Sequence, residues 1–318
     1  MRYKSLELEP ADRPSLESLE IGLTSTCNFR CSFCCAHERN REEQKLSFTV
    51  IQHMIEQLPD LKRIKLSGGE VLLYLEDCIQ VVDYCRRKGL EVQINSNGSM
   101  LNASSISALE QAGLNTLHIS LHVESAPQFS EFSGMSSEWY ARVLAAIKLA
   151  AQSEIECVVE TIISQDTKPL LVEVYQLAYE LGVRKHEFQY GISVEQEQRR
   201  WKQQLKPFDT EQTLWSLIQH KAYDSEMYFT CVDLDPSHPL TPLILRTEGV
   251  NFPRCMEGMK QLHIHSNGDI LICELGYPKK IGNVLEGTRL DQLYTQMPEA
   301  LSSFLKHHRC QKYTDHFA

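Results

Sequence analysis

The sequence predicts an α/β protein, an open, partial (β/α)6 barrel followed by a small extension of one β-hairpin and one helix. Three observations carry this. Between Leu19 and Ser193, short apolar segments rich in β-branched residues alternate with amphipathic helical patterns, the signature of a parallel sheet with right-handed crossovers. Six such units are too few to close an eight-stranded barrel. Near the C-terminus, LHIHSNGDILIC changes the rhythm to two strands around an Asn267-Gly268 turn,.

Strands are expected at 19–26, 62–67, 90–96, 115–121, 155–163 and 184–192. Ile94, Ile119, Val158 and Ile162 lie in segments of buried-strand type,. Helical spacing links Val50, Ile51, Met54, Ile55 and Leu58 in 49–58. It recurs at Trp139, Val143 and Ile147 in 138–152, and at Leu171, Val174, Tyr175, Ala178 and Leu181 in 170–181,. Polar EQEQRRWKQQLK, followed by Pro207, Pro236, Pro239, Pro242 and Pro253, reads as a connector over 195–254 with one helix near 210–222,. The expected organisation is therefore a core over 1–194, this connector, and an extension over 255–318. The extension holds a type I′ hairpin at Asn267-Gly268 and a helix near 289–307.

Composition narrows the function classes. The 318 residues are 42% hydrophobic and 23% charged, within the range of folded globular chains. No apolar run approaches the ~18 residues of a membrane span. MRYKSLELEPADRPS lacks the apolar core of a secretory signal,, so a cytoplasmic protein is expected. The net charge of -10 disfavours nucleic-acid binding by phosphate neutralisation. Eleven cysteines without a secretion signal point to metal rather than to disulfides.

The first cysteine group is TCNFRCSFC, with Cys27, Cys31 and Cys34 directly after the first strand. Three thiolates in a short loop can hold three irons of a cubane cluster and leave the fourth open to a small molecule. Zinc or structural thiols are the competing readings. Zinc sites more often show paired C-x2-C units. Cys35 is read as structural, or at most as a thiol that backs the metal-binding ones. Cys78, Cys85 and Cys157 fall among apolar neighbours and are expected in the core,. Two further features end strands at the same mouth. Ser67-Gly68-Gly69-Glu70 ends the second; its glycines permit close backbone approach, and its carboxylate can accept from an ammonium. Asn95-Ser96-Asn97-Gly98 ends the third.

The cysteine triplet, with aromatic Phe33 before its third member, resembles the signature of the radical SAM family. The resemblance implies a [4Fe-4S] cluster on Cys27, Cys31 and Cys34 that binds S-adenosylmethionine (SAM) at its open iron. Reductive cleavage would then give a 5′-deoxyadenosyl radical that abstracts hydrogen from substrate. Gly68-Gly69-Glu70 looks like the family's GGE segment, which holds the SAM amino group. Ser96 and Ser120 resemble residues that bond its carboxylate or ribose, and small polar caps of strand ends are the alternative. Gln189 is a further candidate. His122 stands where the family often has Asp, and 131–134 read EFSG where it often has Arg.

Cys255, twelve residues, Gly268, four residues and Cys273 resemble the C-x9-15-G-x4-C element of SPASM and twitch extensions. The resemblance implies a twitch-like domain with one auxiliary iron–sulfur cluster on Cys255, Cys273 and Cys310. Its fourth ligand is open, since Tyr313 stands where another cysteine is common. His307, His308, His316, Cys231, solvent or substrate are candidates, and a zinc site is the alternative. Cys231, in MYFTCVDLD, is a candidate hydrogen donor. A buried strand cysteine is the competing reading. The implied partners are a peptide or small-molecule substrate and a flavodoxin- or ferredoxin-type reductant. An RNA-modifying enzyme and a non-catalytic iron–sulfur or zinc protein are the rivals.

Overall fold

The computed structural model describes residues 16–34, 43–190, 210–232, 234–253, 260–273 and 277–293. The repeating units come in the expected order. Strands β1 (Ser18–Thr24), β2 (Arg63–Gly68), β3 (Glu91–Ser96), β4 (Thr116–Ser120), β5 (Glu156–Ile163) and β6 (Lys185–Tyr190) pair in sequence. Every one of these pairings is parallel. Between them run α1 (Phe48–Glu56), α2 (Leu75–Arg87), α3 (Ala103–Ala112), α4 (Ala126–Ser133), α5 (Glu138–Ala151) and α6 (Leu171–Glu180).

Local sequence explains the helix ends. Ser47 caps α1 by accepting from Val50 N,. Asn102 caps α3 in a reciprocal box with Ser105,. Each helix buries one stripe against the sheet, as in α5 with Tyr140, Val143, Ala146, Ile147 and Ala150. The strand residues beneath these stripes are fully buried, among them Leu19, Ile21, Ile64, Leu66, Ile94, Leu117 and Ile119. Cys78, Cys85 and Cys157 lie in this core as expected.

The opposite face of the same strands is polar. Glu20, Lys65, Asn95, His118, Glu160 and Glu187 alternate with the core residues. Parallel strands covered on both faces read as continuous apolar runs. Alternation in RIKLS and TLHIS instead marks an inner face built of polar and charged side chains.

Two findings extend the expected architecture. The 195–254 stretch, read as a connector with one helix, does carry that helix, α7 (Thr210–Ile218). It also supplies β7 (Glu226–Thr230), α8 (Thr241–Arg246) and β8 (Val250–Asn251). Both strands continue the sheet in parallel. Met227 and Phe229 bury one side of β7, but the strand is only five residues long and the nearby prolines conceal it in the sequence. The hairpin, β9 (Gln261–Ile264) and β10 (Asp269–Cys273), followed by β11 (Tyr277–Asn283), joins the other edge of the sheet. There β9 runs parallel to β1. Among the described residues the sheet order is β11-β10-β9-β1-β2-β3-β4-β5-β6-β7-β8, and it stays open.

The hairpin turn differs from the type I′ expectation. Only Gly268 has positive φ, at 84°. Gly268 N donates to His265 O and His265 N to Asp269 O, each at 2.8 Å. This is a three-residue loop with glycine in the left-handed position. Asn267 instead turns its side chain to Asp269 N, 3.0 Å. The expected helix near 289–307 begins as a helical turn at 290–293; the rest lies outside the described residues.

Candidate active site

The ends of β1, β2 and β3 meet at one mouth of the sheet, where two glycines make the junction possible. A side chain on Gly68 would approach Thr24 O to 2.4 Å, and one on Gly69 would approach Thr26 O to 2.1 Å. Backbone can therefore lie directly on backbone. Gly69 N and Glu70 N donate to Thr24 O and Thr26 O, each at 2.8 Å. The loop that begins at Ser25 and carries the cysteines is thereby tied to the end of β2.

The far side of that loop is anchored on α4. Arg30 N and Ser32 N donate to Ser133 O and Phe132 O, each at 2.9 Å. Phe29 is buried edge-on against Phe129 and Trp139. An aromatic residue between the first two cysteines is the sequence signal for this anchor, and sequence reasoning did not use it.

Cys27, Cys31 and Cys34 sit on this loop beside a cavity of about 650 Å3. Burial pushes the Cys31 thiol up to about 12, and neighbouring Cys34 and Cys27 add to the rise. Three sulfurs close enough to oppose one another's ionisation suit a shared metal centre that displaces their protons. Cys27 Sγ accepts from Phe29 N at 3.4 Å and from Asn97 Nδ2 at 3.9 Å. Among the described residues, the trio of ligand-type side chains that closes to within 4.8 Å is His118, Glu160 and Glu187, not the three cysteines.

Most of the predicted residues converge on this cavity. Phe33, Gly68, Gly69, Ser96 and Ser120 line it together with the three cysteines. Glu70 does not. Its side chain is fully buried behind the wall and accepts from Ser96 Oγ at 2.9 Å, Asn97 N at 2.7 Å and Leu72 N at 3.1 Å. Burial raises its pKa to about 7 against the opposing pull of these three donors. The carboxylate thus clamps the end of β2 to the end of β3. Ser96 is likewise engaged, since it also accepts from Gly98 N at 2.9 Å.

His122 also lines the cavity and meets the Phe33 ring edge-on at 4.7 Å. Its Nδ1 accepts from Ile162 N at 3.2 Å, which leaves the proton on Nε2. Burial holds its pKa down near 4, so the ring is neutral where the related signature often carries a carboxylate.

Below the mouth lies a charged floor that the sequence reading did not assemble. His118 Nδ1 is 2.7 Å from Glu160 and 3.6 Å from Glu187, and Lys65 Nζ is 3.2 Å from Glu20. Burial opposes ionisation of Glu160, but His118 and Lys65 more than offset it and hold the group well below the usual carboxylate range. Glu187, directly opposite Glu160 in register, is raised by burial and by that neighbouring charge. The signal was a polar residue at every second position of otherwise apolar strands.

The hairpin brings His263, Ile264, His265, Ser266 and Asn267 to the cavity wall. Cys273 ends β10, half-buried; Cys255, Cys310, Tyr313 and the candidate histidine ligands at 307, 308 and 316 lie outside the described residues, as does Cys35. Cys231 follows β7 at the same end of the sheet, with φ of 58° and Gln189 Nε2 at 4.0 Å from its sulfur. It stands apart from the residues that line the cavity.

Residues 21–177 match the family model of the Radical SAM superfamily. That segment, about half of the chain, belongs to the superfamily. The chain's relatives include an AdoMet-dependent heme synthase of Methanosarcina barkeri, 25% identical over 83% of this chain and 78% of its own length. A GTP 3',8-cyclase of Xanthomonas campestris is 28% identical over 51% of each chain. An uncharacterised protein of Methanocaldococcus jannaschii is 31% identical over 46% of this chain. The chain spans about half the length of the last two. In fold it is similar to Streptococcus suis SuiB bound to S-adenosylmethionine. There the TM-score is 0.67 at 18% identity, over 88% of this chain and 66% of SuiB. It is also similar to anSMEcpe bound to AdoMet and a Cp18Cys peptide, with a TM-score of 0.65 at 16% identity over 88% and 80% of the two chains. No helix among the described residues is long and apolar enough to cross a membrane.

Proposed function

We propose that this radical SAM chain holds a [4Fe-4S] cluster on Cys27, Cys31 and Cys34 and cleaves SAM beside it. The single observation that carries this is the junction at the mouth. Three cysteines, a glycine-packed strand end and a roomy cavity are fixed together by backbone contacts. The donor set fits the cluster, because three thiols share one loop beside the cavity and oppose one another's ionisation, a conflict that a common metal centre would relieve,. When bound, the cluster supplies the electron that splits SAM into methionine and a 5′-deoxyadenosyl radical, which takes hydrogen from the substrate.

The chain's own groups do the positioning. Main-chain atoms at Gly68 and Gly69 and the hydroxyl of Ser120 face the cavity and offer polar contacts to the amino, carboxylate and ribose groups of SAM. Glu70 acts from behind, by holding β2 and β3 in register at the ends. His122 presents a neutral ring and not a charge, and Phe33 shields the site from water.

A peptide or small-molecule substrate fits the cavity, and the presence of peptide-bound proteins of the same fold supports the peptide reading. The acidic net charge weighs against RNA. An auxiliary cluster on Cys255, Cys273 and Cys310, and reduction by a flavodoxin- or ferredoxin-type protein, complete the proposal. Anaerobic reconstitution followed by dithionite and SAM tests it. The expected product is 5′-deoxyadenosine, at roughly eight irons per chain with the auxiliary cluster or four without. An iron-loaded protein that leaves SAM intact would overturn the reading.

A further inference from the structure

We infer that Asn97 is a positioning residue for the cluster: its carboxamide N–H donates to the Cys27 sulfur and raises the cluster's reduction potential. The inference rests on the cluster assignment proposed above. It starts from how tightly this side chain is oriented. Asn97 Oδ1 accepts from Ser99 N at 2.9 Å. Because a backbone N–H can only donate, the oxygen must face Ser99 and the NH2 group must face the other way. On that side Nδ2 donates to Asn28 Oδ1 at 3.0 Å and lies 3.9 Å from Cys27 Sγ.

Both partners are themselves fixed. Asn28 turns its oxygen to Asn97 because its own Nδ2 donates to Ser99 Oγ at 2.9 Å. The Asn97 backbone is held by its N–H to Glu70 at 2.7 Å, and the next residue, Gly98, has φ of 79° and packs against Ile119. The chain from buried Glu70 through Asn97 to Cys27 thus links the β2 clamp to a cluster sulfur. Phe29 N adds a second donor to the same atom at 3.4 Å.

The electrostatic consequence has a definite sign. Reduction adds negative charge to the cluster and its sulfurs. An N–H dipole aimed at a sulfur stabilises the reduced form more than the oxidised form, which raises the potential. Removing the donor makes the cluster harder to reduce.

The test is an EPR-monitored redox titration of the reconstituted chain without SAM, so that altered SAM binding cannot enter the readout. Asn97→Ala removes the donor. Asn97→Asp keeps the size and replaces N–H with an acceptor oxygen, and serves as the second variant if the first loads poorly. The expected midpoint order is wild type highest, then Asn97→Ala, then Asn97→Asp, at equal iron content. Midpoints equal to wild type, or shifted upward, would overturn the inference and leave the cluster assignment standing. Wild-type protein that binds no cluster would remove both.

Discussion

Glu70 is a fully buried carboxyl group with three donors pointed at its oxygens. Burial wins over the donors and lifts its pKa to about 7 from an ordinary 4.5. The native state therefore holds this proton more tightly than the unfolded chain does. Its contribution to stability is complete below about pH 4.5 and fades as the pH rises through 7. Relative to the non-titrating Glu70→Gln variant, wild type should lose about 3 kcal/mol of unfolding free energy across that window. Denaturant melts at a series of pH values would show it, and a pH-independent difference would contradict it. The presence of an acidic residue after Gly68-Gly69 was legible in the sequence. Its orientation was not, because two of the three donors that turn it away from the cavity, Ser96 and Asn97, come from the end of β3, 26 and 27 residues on. Asn97 is similar: its place at a strand end could be read, but the sulfur it faces lies 70 residues earlier.

At the scale of elements, periodicity made β1 to β6 readable, because each strand buries an apolar face under a helix stripe. Short edge pieces were harder. β7 has five residues and β8 two, too few for a period to stand out among prolines. The hairpin was legible, but its partner was not, since pairing of β9 with β1 joins segments some 240 residues apart. Its turn offers a quantitative check. Gly268 and Gly89 both have positive φ, but a side chain at Gly89 meets nothing within 4 Å, whereas one at Gly268 would meet Asn283 and Leu285 at 2.7 Å. Gly89→Ala should cost about 1 kcal/mol from backbone conformation alone. Gly268→Ala should add a packing cost of about 1–3 kcal/mol. Equal losses in thermal or urea unfolding would show that the hairpin turn is not packed as described.

Across the whole molecule, one sheet has two unlike faces. The outer face is apolar and covered by helices, and it supplies the core. The inner face carries Glu20, Lys65, His118, Glu160 and Glu187, with Lys65 beside Glu20 and His118 beside Glu160 and Glu187. Above that floor, the cysteine loop, the ends of β2 to β4 and the hairpin close around one cavity. The extension is thus part of the cavity wall, a role that its sequence, read as a separate unit, did not reveal. The cysteine spacing and the glycine pair pointed to the site because they are local. The charged floor depends on register across six strands and becomes visible only in the fold. The claim on which the account turns is that the cluster at Cys27, Cys31 and Cys34 offers an open iron to SAM. EPR of the dithionite-reduced, reconstituted protein with and without SAM tests it most directly. The account predicts a SAM-dependent change in the [4Fe-4S] signal that is absent when the three cysteines are replaced by alanine. A reduced signal that ignores SAM, or a SAM response that survives that replacement, would contradict it.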